Sequence, residues 1–274
     1  MKEKIDIQSQ VDKRNITIDK VGVKKVRYPI IVEDRENGVQ NTVADLDIFV
    51  ELPHHHRGTH MSRFIEVLNK FHKENFIKKL PDFLSEIKKS LNADASYTKI
   101  RFPYFLKKKA PVSGTESLLS YNCFFEASFR ENFDLVIGVE VPVTSLCPCS
   151  KEISEFGAHS QRSLVTVKVS FDEFIWLEEL IEIVEKSASS EIYPLLKRRD
   201  EKYVTEKAYL NPAFVEDIVR DITLKLQKDK RIKYFKVESE NFESIHDHNA
   251  YACVERKIAA NKTNKMNRKV TRNA

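Results

Sequence analysis

The sequence predicts an α+β fold in which two tandem ββαα-type modules combine antiparallel sheets with helices packed on one face. Two patterns support this class. Segments that alternate apolar and polar residues indicate half-buried strands, and segments with apolar residues at helical spacing indicate amphipathic helices. Both patterns appear in the first half of the chain and again in the second. We therefore predict modules over about 21–130 and 131–258, preceded by a flexible segment over 1–20.

The first module begins with a predicted hairpin. Strands over 22–33 and 40–52 alternate in polarity and flank an Asn-Gly turn signal. A helix over 62–72 follows, and a second helix over 81–93 has Pro81 near its start, where a missing N–H costs little. Further strands are predicted over 96–106, 118–130 and 133–144.

The second module repeats this sequence of strands and helices. A strand over 162–171 leads into a helix over 172–189. The most regular apolar stripe predicts a helix over 211–229, with Asn211 as its cap and Pro212 at its first position. Closing strands are predicted over 231–242 and 249–258.

Composition limits the classes of function. The 274 residues are 41% hydrophobic and 32% charged, which is enough apolar material for a core. The chain has only 6 glycines and no glycine-rich phosphate-loop pattern, so a nucleotide fold built on such a loop is excluded.

The net charge of +5 is unevenly distributed. Residues 256–274 contain seven Lys and Arg residues and no acidic residue, which leaves the first 255 residues at −2. We interpret 259–274 as a basic, solubilising tail, with nucleic-acid binding as the open alternative. No nucleic-acid partner is expected for the rest of the chain.

The N-terminal sequence is polar and lacks the apolar centre of a signal peptide. No run of about 18 apolar residues is present, so we expect no membrane partner and a cytoplasmic location. Because thiols stay reduced there, the close cysteines indicate metal binding or catalysis rather than a disulfide.

The segment SLCPCSKEISEFGAHSQRS, residues 145–163, contains Cys147 and Cys149 on either side of a proline. On an extended backbone, both thiols would point to the same side. No second pair completes a structural zinc finger, because Cys123 and Cys253 are isolated and are predicted to be core residues. With His159 within reach, a thiolate and an imidazole would suit Zn²⁺, Fe²⁺ or Mn²⁺, and plain burial of the cysteines is the alternative.

Two further segments contain clustered polar residues. LPHHHRGTHMSRF, residues 52–64, is either a solvated loop or an anion-binding loop that uses Arg57 at a helix N-terminus. FESIHDHNAYA, residues 242–252, contains Glu243 and His246, for which metal binding, acid–base catalysis and a plain polar loop are all open.

Carboxylates also mark the second module. In LLKRRDEKYVTEKAYLNP, residues 195–212, Glu201 belongs either to a solvated, ion-paired loop or to a site with a carboxylate ligand and phosphate contacts. Glu216 lies at the border of the apolar stripe of the 211–229 helix, where it faces either solvent or a pocket.

Together, the Cys-Pro-Cys segment with its downstream Ala-His-Ser-Gln, LPHHHRGTHMSRF, NPAFVEDIVRDI and FESIHDHNA resemble the prokaryotic type IB GTP cyclohydrolases. The resemblance runs from about residue 20 to 258. It implies the tunnelling fold and a homotetramer with active sites at subunit interfaces. It also implies conversion of GTP and water to 7,8-dihydroneopterin triphosphate and formate, the entry to folate-type pterins and deazaguanine tRNA nucleosides.

The resemblance implies roles for individual residues. The implied ligands of a divalent Zn, Mn or Fe ion are Cys147, His159 and Glu201. The implied catalytic groups are Cys149, Glu243 and His246. Glu216 would anchor guanine by accepting from N1–H and the 2-amino group. Independently of the resemblance, the basic residues of the two polar segments are our candidate phosphate contacts, namely Arg57, His60, Lys197 and Arg198.

Two alternatives stay open. One is another tunnelling-fold enzyme, such as a 7-cyano-7-deazaguanine reductase, which would need NADPH and no catalytic metal. The other is a non-catalytic, metal-dependent nucleotide- or RNA-binding protein. Formate release and a bound metal would distinguish the cyclohydrolase from both.

Overall fold

A computed structural model describes residue 8, residues 10–72 and residues 74–258. Its strands form one antiparallel sheet in the order β1-β2-β3-β4-β5-β6-β8-β9, and the short β7 pairs with β5. The elements are β1 (Ile18–Asp34), β2 (Gly38–Leu52), α1 (Met61–Lys70), α2 (Phe76–Ser90), β3 (Ser96–Lys109), β4 (Glu116–Phe129), β5 (Phe133–Leu146), α3 (Pro148–Ile153), β6 (Ser160–Phe171), α4 (Leu177–Glu185), β7 (Ser190–Glu191), α5 (Arg198–Leu210), α6 (Val215–Lys228), β8 (Ile232–Asn241) and β9 (Ala250–Lys257).

The core lies between this sheet and the helices on one of its faces. Alternate residues of β5 and β6 are fully buried, among them Val139, Val141, Val165 and Val167, as period-2 strand geometry requires. Helix α2 packs on β3 and β4, α4 packs on β5, and α6 packs on β8 and β9. The predicted α+β class, with an antiparallel sheet and helices on one face, is confirmed.

The sheet continues without interruption from the first predicted module into the second, because β4 pairs with β5 from Asn122 to Phe129. A buried polar contact also crosses this junction. The carboxylate of Glu178 in α4 accepts hydrogen bonds from the Tyr104 hydroxyl (2.7 Å) and the Arg35 backbone N–H (2.8 Å). The division into two modules stays a prediction, since both share one sheet and one apolar cluster.

Residues 195–212, for which the sequence left a solvated loop open, contain helix α5 instead. Only Asp200 and Ala208 of α5 are buried, so the sequence lacks the apolar stripe that would identify a helix. Asn211 ends α5 rather than capping the next helix, and α6 begins at Val215 rather than at 211. The short helix α3 was also missed.

Two other predicted helix boundaries were wrong. Helix α2 begins at Phe76, where the Asn75 side chain accepts from the Lys78 N–H, so Pro81 lies inside the helix and not at its start. Helix α4 begins at Leu177, and residues 172–176 are a non-helical connection between the end of β6 and this helix.

Part of the segment predicted to be flexible has defined partners. The Asp12 N–H donates to the His55 carbonyl at 3.2 Å, and the Arg57 N–H donates to the Gln10 carbonyl at 3.1 Å. Residues 1–7 and the basic tail over 259–274 lie outside the described residues. Among the helices of the described ranges, none is long and apolar enough to cross a membrane.

Candidate active site

Three chain segments meet at one end of the sheet, where the candidate site lies. Leu146 at the end of β5 pairs with Ser160 at the start of β6. Ser163 of β6 pairs in turn with Asn241 at the end of β8. The loop after β5, the loop before β6 and the segment after β8 are therefore neighbours. These segments contain Cys147, Cys149, His159, Glu243 and His246.

The two cysteines of the Cys-Pro-Cys segment have different environments. Cys147 is half-buried and caps α3, and its Sγ accepts from the Ser150 N–H at 3.4 Å. Pro148 occupies the first helical position, which needs no N–H donor. Cys149 lies inside the helix and is exposed. The extended C-x-C geometry expected from the sequence is wrong, because the helix begins between the two thiols.

Cys147 and His159 are held next to each other by backbone contacts. The Cys147 N–H donates to the His159 carbonyl at 3.1 Å, and the His159 N–H donates to the Ser150 hydroxyl at 3.2 Å. On the imidazole, Nδ1 lies 3.0 Å from Gln161 Oε1 and 3.3 Å from Ser244 Oγ. These contacts occupy Nδ1 and leave Nε2 for another ligand, an arrangement typical of histidines that bind metals.

The segment after β8 borders His159. Its course is set by the Phe242 N–H, which donates to the Arg162 carbonyl at 2.9 Å. Glu243 is partly buried and His246 is exposed. The His246 ring stacks on the His248 ring, with centroids 5.1 Å apart and an interplanar angle of 14°. Two imidazoles and a carboxylate are thus available beside the His159 loop.

Helix α6 brings Glu216 to the same end of the sheet. The Ala213 N–H donates to the Leu146 carbonyl at 3.0 Å, and the Ser145 hydroxyl donates to the Ala213 carbonyl at 2.9 Å. These bonds fix the start of α6 against the end of β5. Glu216 lies exposed in the first turn, where its carboxylate can accept hydrogen bonds from a bound molecule.

Helix α5 is fixed at its first turn by Asp200, which is fully buried. Its carboxylate accepts from the backbone N–H groups of Val112 (2.8 Å), Ser113 (2.7 Å) and Lys197 (2.9 Å). Burial alone would raise the pKa of Asp200, but the hydrogen bonds from Ser113, Lys197 and Val112 outweigh it and hold that pKa well below the ordinary value.

Glu201, Lys197 and Arg198 lie at this first turn and are all exposed. The other end of α5 contacts the cysteine helix, since Lys151 Nζ donates to the Tyr209 carbonyl at 2.6 Å and lies 4.5 Å from the Tyr209 ring centroid. Eight residues at about 1.5 Å each put Glu201 roughly 12 Å along the helix from that contact.

Within the described ranges, no group of three or more His, Cys, Asp and Glu side chains is placed to hold a metal ion. The chain therefore brings Cys147 and His159 together but does not group Glu201 with them. Two donors of the Zn²⁺-binding type, with Nδ1 of the imidazole already engaged, fit part of a metal site. The full ligand set stays a prediction.

The predicted phosphate contacts Arg57 and His60 lie at the opposite end of the sheet. They follow β2, whose Val50 pairs with Ser96 of β3. Ser96 pairs with Phe129 of β4, which pairs with Phe133 at the start of β5. From there β5 runs 14 residues to the cysteine end. At about 3.3 Å per residue, the two ends are roughly 45 Å apart along the strand.

The remaining cysteines differ from each other. Cys123 is buried as predicted, and burial raises the pKa of its thiol, which makes it unreactive. The prediction of a core position for Cys253 is wrong. Strand β9 is an edge strand, and its alternation exposes Tyr251 and Cys253 while Ala252 and Val254 pack inward.

Gln161, Ser145 and Asn241 contact the site, and sequence reasoning did not single them out. All three are buried and lie on adjacent strands behind His159. Only Asn241 lies inside a predicted strand, because Ser145 and Gln161 fall just beyond the predicted limits of their strands, which the structure extends to Leu146 and from Ser160. Buried polar residues at such positions need hydrogen-bond partners and mark a functional region.

Solved structures with the same architecture are urate oxidases, which have the tunnelling fold. The uricase from Arthrobacter globiformis aligns with a TM-score of 0.50 at 9% identity, covering 89% of this chain and 94% of that one. A hyperthermostable mutant of the Bacillus sp. TB-90 urate oxidase aligns with a TM-score of 0.50 at 10% identity, covering 88% and 98%. The chain is therefore a tunnelling-fold protein with a thiol–imidazole site at one end of its sheet.

The family follows from sequence similarity. A model of the family described as "Type I GTP cyclohydrolase folE2" matches residues 5–252. The chain is 55% identical over 251 residues to the GTP cyclohydrolase FolE2 of Geotalea uraniireducens, covering 92% of this chain and 93% of that one. It is 56% identical over 250 residues to the protein of that name from Fervidobacterium nodosum, covering 91% and 96%. The chain belongs to the type I GTP cyclohydrolase FolE2 family.

Proposed function

We propose that this chain is a GTP cyclohydrolase that converts GTP and water to 7,8-dihydroneopterin triphosphate and formate, the first step of folate-type pterin synthesis. Besides family membership, the location of the site residues supports this activity. Six reactive side chains lie at one end of the sheet. They are the thiol–imidazole pair of Cys147 and His159, the exposed thiol of Cys149, the carboxylates of Glu216 and Glu243, and the exposed imidazole of His246.

The reaction needs a nucleophile at C8 of guanine, a base anchor and proton transfers. Glu216 anchors the base, because a carboxylate accepts from both N1–H and the 2-amino group. Cys147 and His159 would hold a divalent Zn, Mn or Fe ion, and that ion would supply Lewis-acid activation of water. Glu201 would contribute only if its helix or side chain moved toward them. Otherwise an adjacent copy would have to supply the third ligand.

Acid–base groups of the chain move the protons. Opening of the imidazole ring requires protonation of a ring nitrogen as formate leaves, and later closure of the pterin ring requires further transfers. His246 and Glu243 lie next to the His159 loop and can serve these steps. The thiol of Cys149 is exposed in the first turn of α3, where it would face the reacting carbon of bound GTP.

The enzyme assembles as a homotetramer with active sites at subunit interfaces. Exposed apolar side chains surround the site, namely Ile153, Phe156, Leu210 and Ile245, and Phe156 is 96% exposed. Several large exposed apolar side chains on neighbouring segments are typical of a protein interface. In addition, Arg57 and His60 lie too far from Cys147 to serve the same site within one chain. A second copy would bring its Arg57 end to the cysteine end of the first.

The chain is placed in the cytoplasm in this proposal, because both site thiols must stay reduced to act as a ligand and as a proton donor. Lys197 and Arg198 contact the phosphates of GTP. Both are exposed at the first turn of α5, which Asp200 attaches to the β3–β4 turn at the cysteine end of the sheet.

Incubation of the purified protein with GTP and Zn²⁺, Mn²⁺ or Fe²⁺ in turn tests the proposal. After oxidation of the product, we expect fluorescent neopterin with at least one metal and none after chelation. Absence of both neopterin and formate with every metal would reject the activity. NADPH consumption in the presence of a nitrile-bearing deazaguanine would instead favour the reductase alternative.

A further inference from the structure

A chain of buried hydrogen bonds runs from His159 into the sheet. Gln161 lies two residues after His159 and directly opposite Ser145 in the β5–β6 ladder. Its Oε1 is 3.0 Å from His159 Nδ1, and its Nε2 donates to Ser145 Oγ at 3.5 Å. Asn241 Nδ2 donates to the same Ser145 oxygen at 3.2 Å. Gln161 is only 9% exposed, so water does not replace these partners.

The single hydroxyl proton of Ser145 determines the direction of this chain. That proton is donated to the Ala213 carbonyl at 2.9 Å, the shortest contact of the group. A hydroxyl has one donor and two acceptor sites, so Ser145 Oγ can only accept from its other two neighbours. Those neighbours must present N–H groups, and the amide of Gln161 therefore directs its nitrogen toward Ser145.

The orientation of the amide then determines the state of the imidazole. With its nitrogen toward Ser145, Gln161 presents its carbonyl oxygen to His159. A carbonyl oxygen only accepts, so Nδ1 of His159 must carry the proton. Ser244 Oγ, at 3.3 Å from the same nitrogen, can accept from it as well. In neutral imidazole the proton on Nδ1 leaves a lone pair on Nε2.

We propose that Gln161 is a positioning residue that keeps His159 in the Nδ1–H tautomer, with Nε2 directed outward to bind a divalent metal ion. This inference rests on the proposed function, in which His159 is a metal ligand. Ser145 and the Ala213 carbonyl anchor the amide, and that carbonyl belongs to the linker that leads into α6 and Glu216. The same bond thus connects the metal-binding imidazole to the helix that carries the guanine anchor.

Neutron diffraction from crystals of the perdeuterated, metal-free protein tests the tautomer without any variant. We expect deuterium on Nδ1 of His159, none on Nε2, and the deuterated amide nitrogen of Gln161 toward Ser145. Deuterium on Nε2 alone, or an amide oxygen toward Ser145, would overturn the proposal. This result does not depend on turnover of GTP.

Zinc affinity, measured by competition with a chromophoric chelator, tests the consequence. Gln161→Met keeps the side-chain length and removes the acceptor, and we expect its zinc affinity to fall about 10- to 100-fold. Ser160→Ala is the matched control, because Ser160 is adjacent on the strand and exposed on the opposite side. Its zinc affinity should equal that of the wild-type protein. Thermal unfolding of both variants verifies that each is folded.

His159→Ala distinguishes the positioning role of Gln161 from the metal-binding role of His159. If His159→Ala loses zinc while Gln161→Met binds it as tightly as wild type, the positioning role is wrong and the metal site stands. If His159→Ala binds zinc with unchanged affinity, the metal site of the proposed function fails. A folded Gln161→Met variant with weakened zinc binding and an unchanged Ser160→Ala control would support the positioning role.

Discussion

At the residue scale, the two thiols of the Cys-Pro-Cys segment are distinguished by where α3 begins. Cys147 precedes the helix and accepts a backbone N–H, while Cys149 belongs to the helix and is exposed. We expect Cys147→Ala to lose bound metal and activity together, because the pair with His159 is broken. Cys149→Ala should keep its metal and lose turnover by about 100-fold or more.

Metal content of the purified variants and GTP turnover check this prediction. Cys123→Ala changes a buried thiol in β4, and it serves as the control that keeps both site thiols. Full activity in either site variant would show that the role assigned to that thiol is wrong.

Glu216 is the residue expected to distinguish guanine from adenine. Its carboxylate can accept two N–H groups from guanine, and Glu216→Gln replaces one acceptor with a donor. Loss of a charge-assisted hydrogen bond costs about 1.5–3 kcal/mol, which corresponds to roughly a 10- to 100-fold drop in kcat/KM for GTP. Competition between GTP and ATP measures the preference, and an unchanged preference would reject the anchor role. Asp217→Asn, at the next position, controls for the helix cap that this residue provides.

At the element scale, periodicity predicted the strands well, because each alternates between the apolar core and a polar face. The helices were predicted where an apolar stripe marks them, as in α6 with Ile218, Val219 and Ile222. Helix α5 was missed because its contacts are polar. It is held by hydrogen bonds to Asp200 and by the Lys207–Glu191 ion pair, which no periodic pattern encodes.

Some residues of the candidate site could likewise be predicted from the sequence, and others could not. Cys147, His159, Glu243 and Glu216 were identifiable as reactive residue types in unusual segments, and the structure brings them to one end of the sheet. Gln161 and Ser145 were not, because their role depends on which strands are adjacent. Strand order and register depend on residues that are far apart in the chain, so local patterns in a single sequence do not reveal them.

Asp200 provides a test of how α5 is attached. Its pKa is lowered in the folded protein, so its contribution to stability is present above the ordinary aspartate pKa of about 4 and is lost as pH falls below it. We expect Asp200→Asn to lower the Tm at neutral pH, and the difference from wild type to shrink in acid below about pH 4.

Thermal unfolding between neutral pH and about pH 3 measures this difference. The exposed Asp94 gives a matched substitution, Asp94→Asn, for which no change is expected at any pH. A Tm difference for Asp200→Asn that stays constant across the acid range would contradict the buried, hydrogen-bonded carboxylate.

At the scale of the whole molecule, the length of the sheet separates two sets of residues that were predicted from the sequence to serve one reaction. Arg57 and Cys147 are at opposite ends of the strands, so an active site that uses both needs two copies of the chain. Mixing two inactive variants, Arg57→Ala and Cys147→Ala, should therefore restore activity. With random assembly of equal amounts, about one quarter of the sites contain both intact ends.

Denaturing the two variants together and refolding them as a mixture checks this expectation. Each variant refolded alone is the control. Activity of the mixture equal to the sum of the separate variants would show that one chain supplies the whole site, or that Arg57 has no part in it.

The proposed reaction opens the guanine ring at C8. GTP labelled with ¹³C at C8 tests this step when formate is followed by NMR together with neopterin triphosphate. We expect one labelled formate for each pterin formed, with both absent for Cys147→Ala. Pterin-free turnover, or formate without the label, would contradict it.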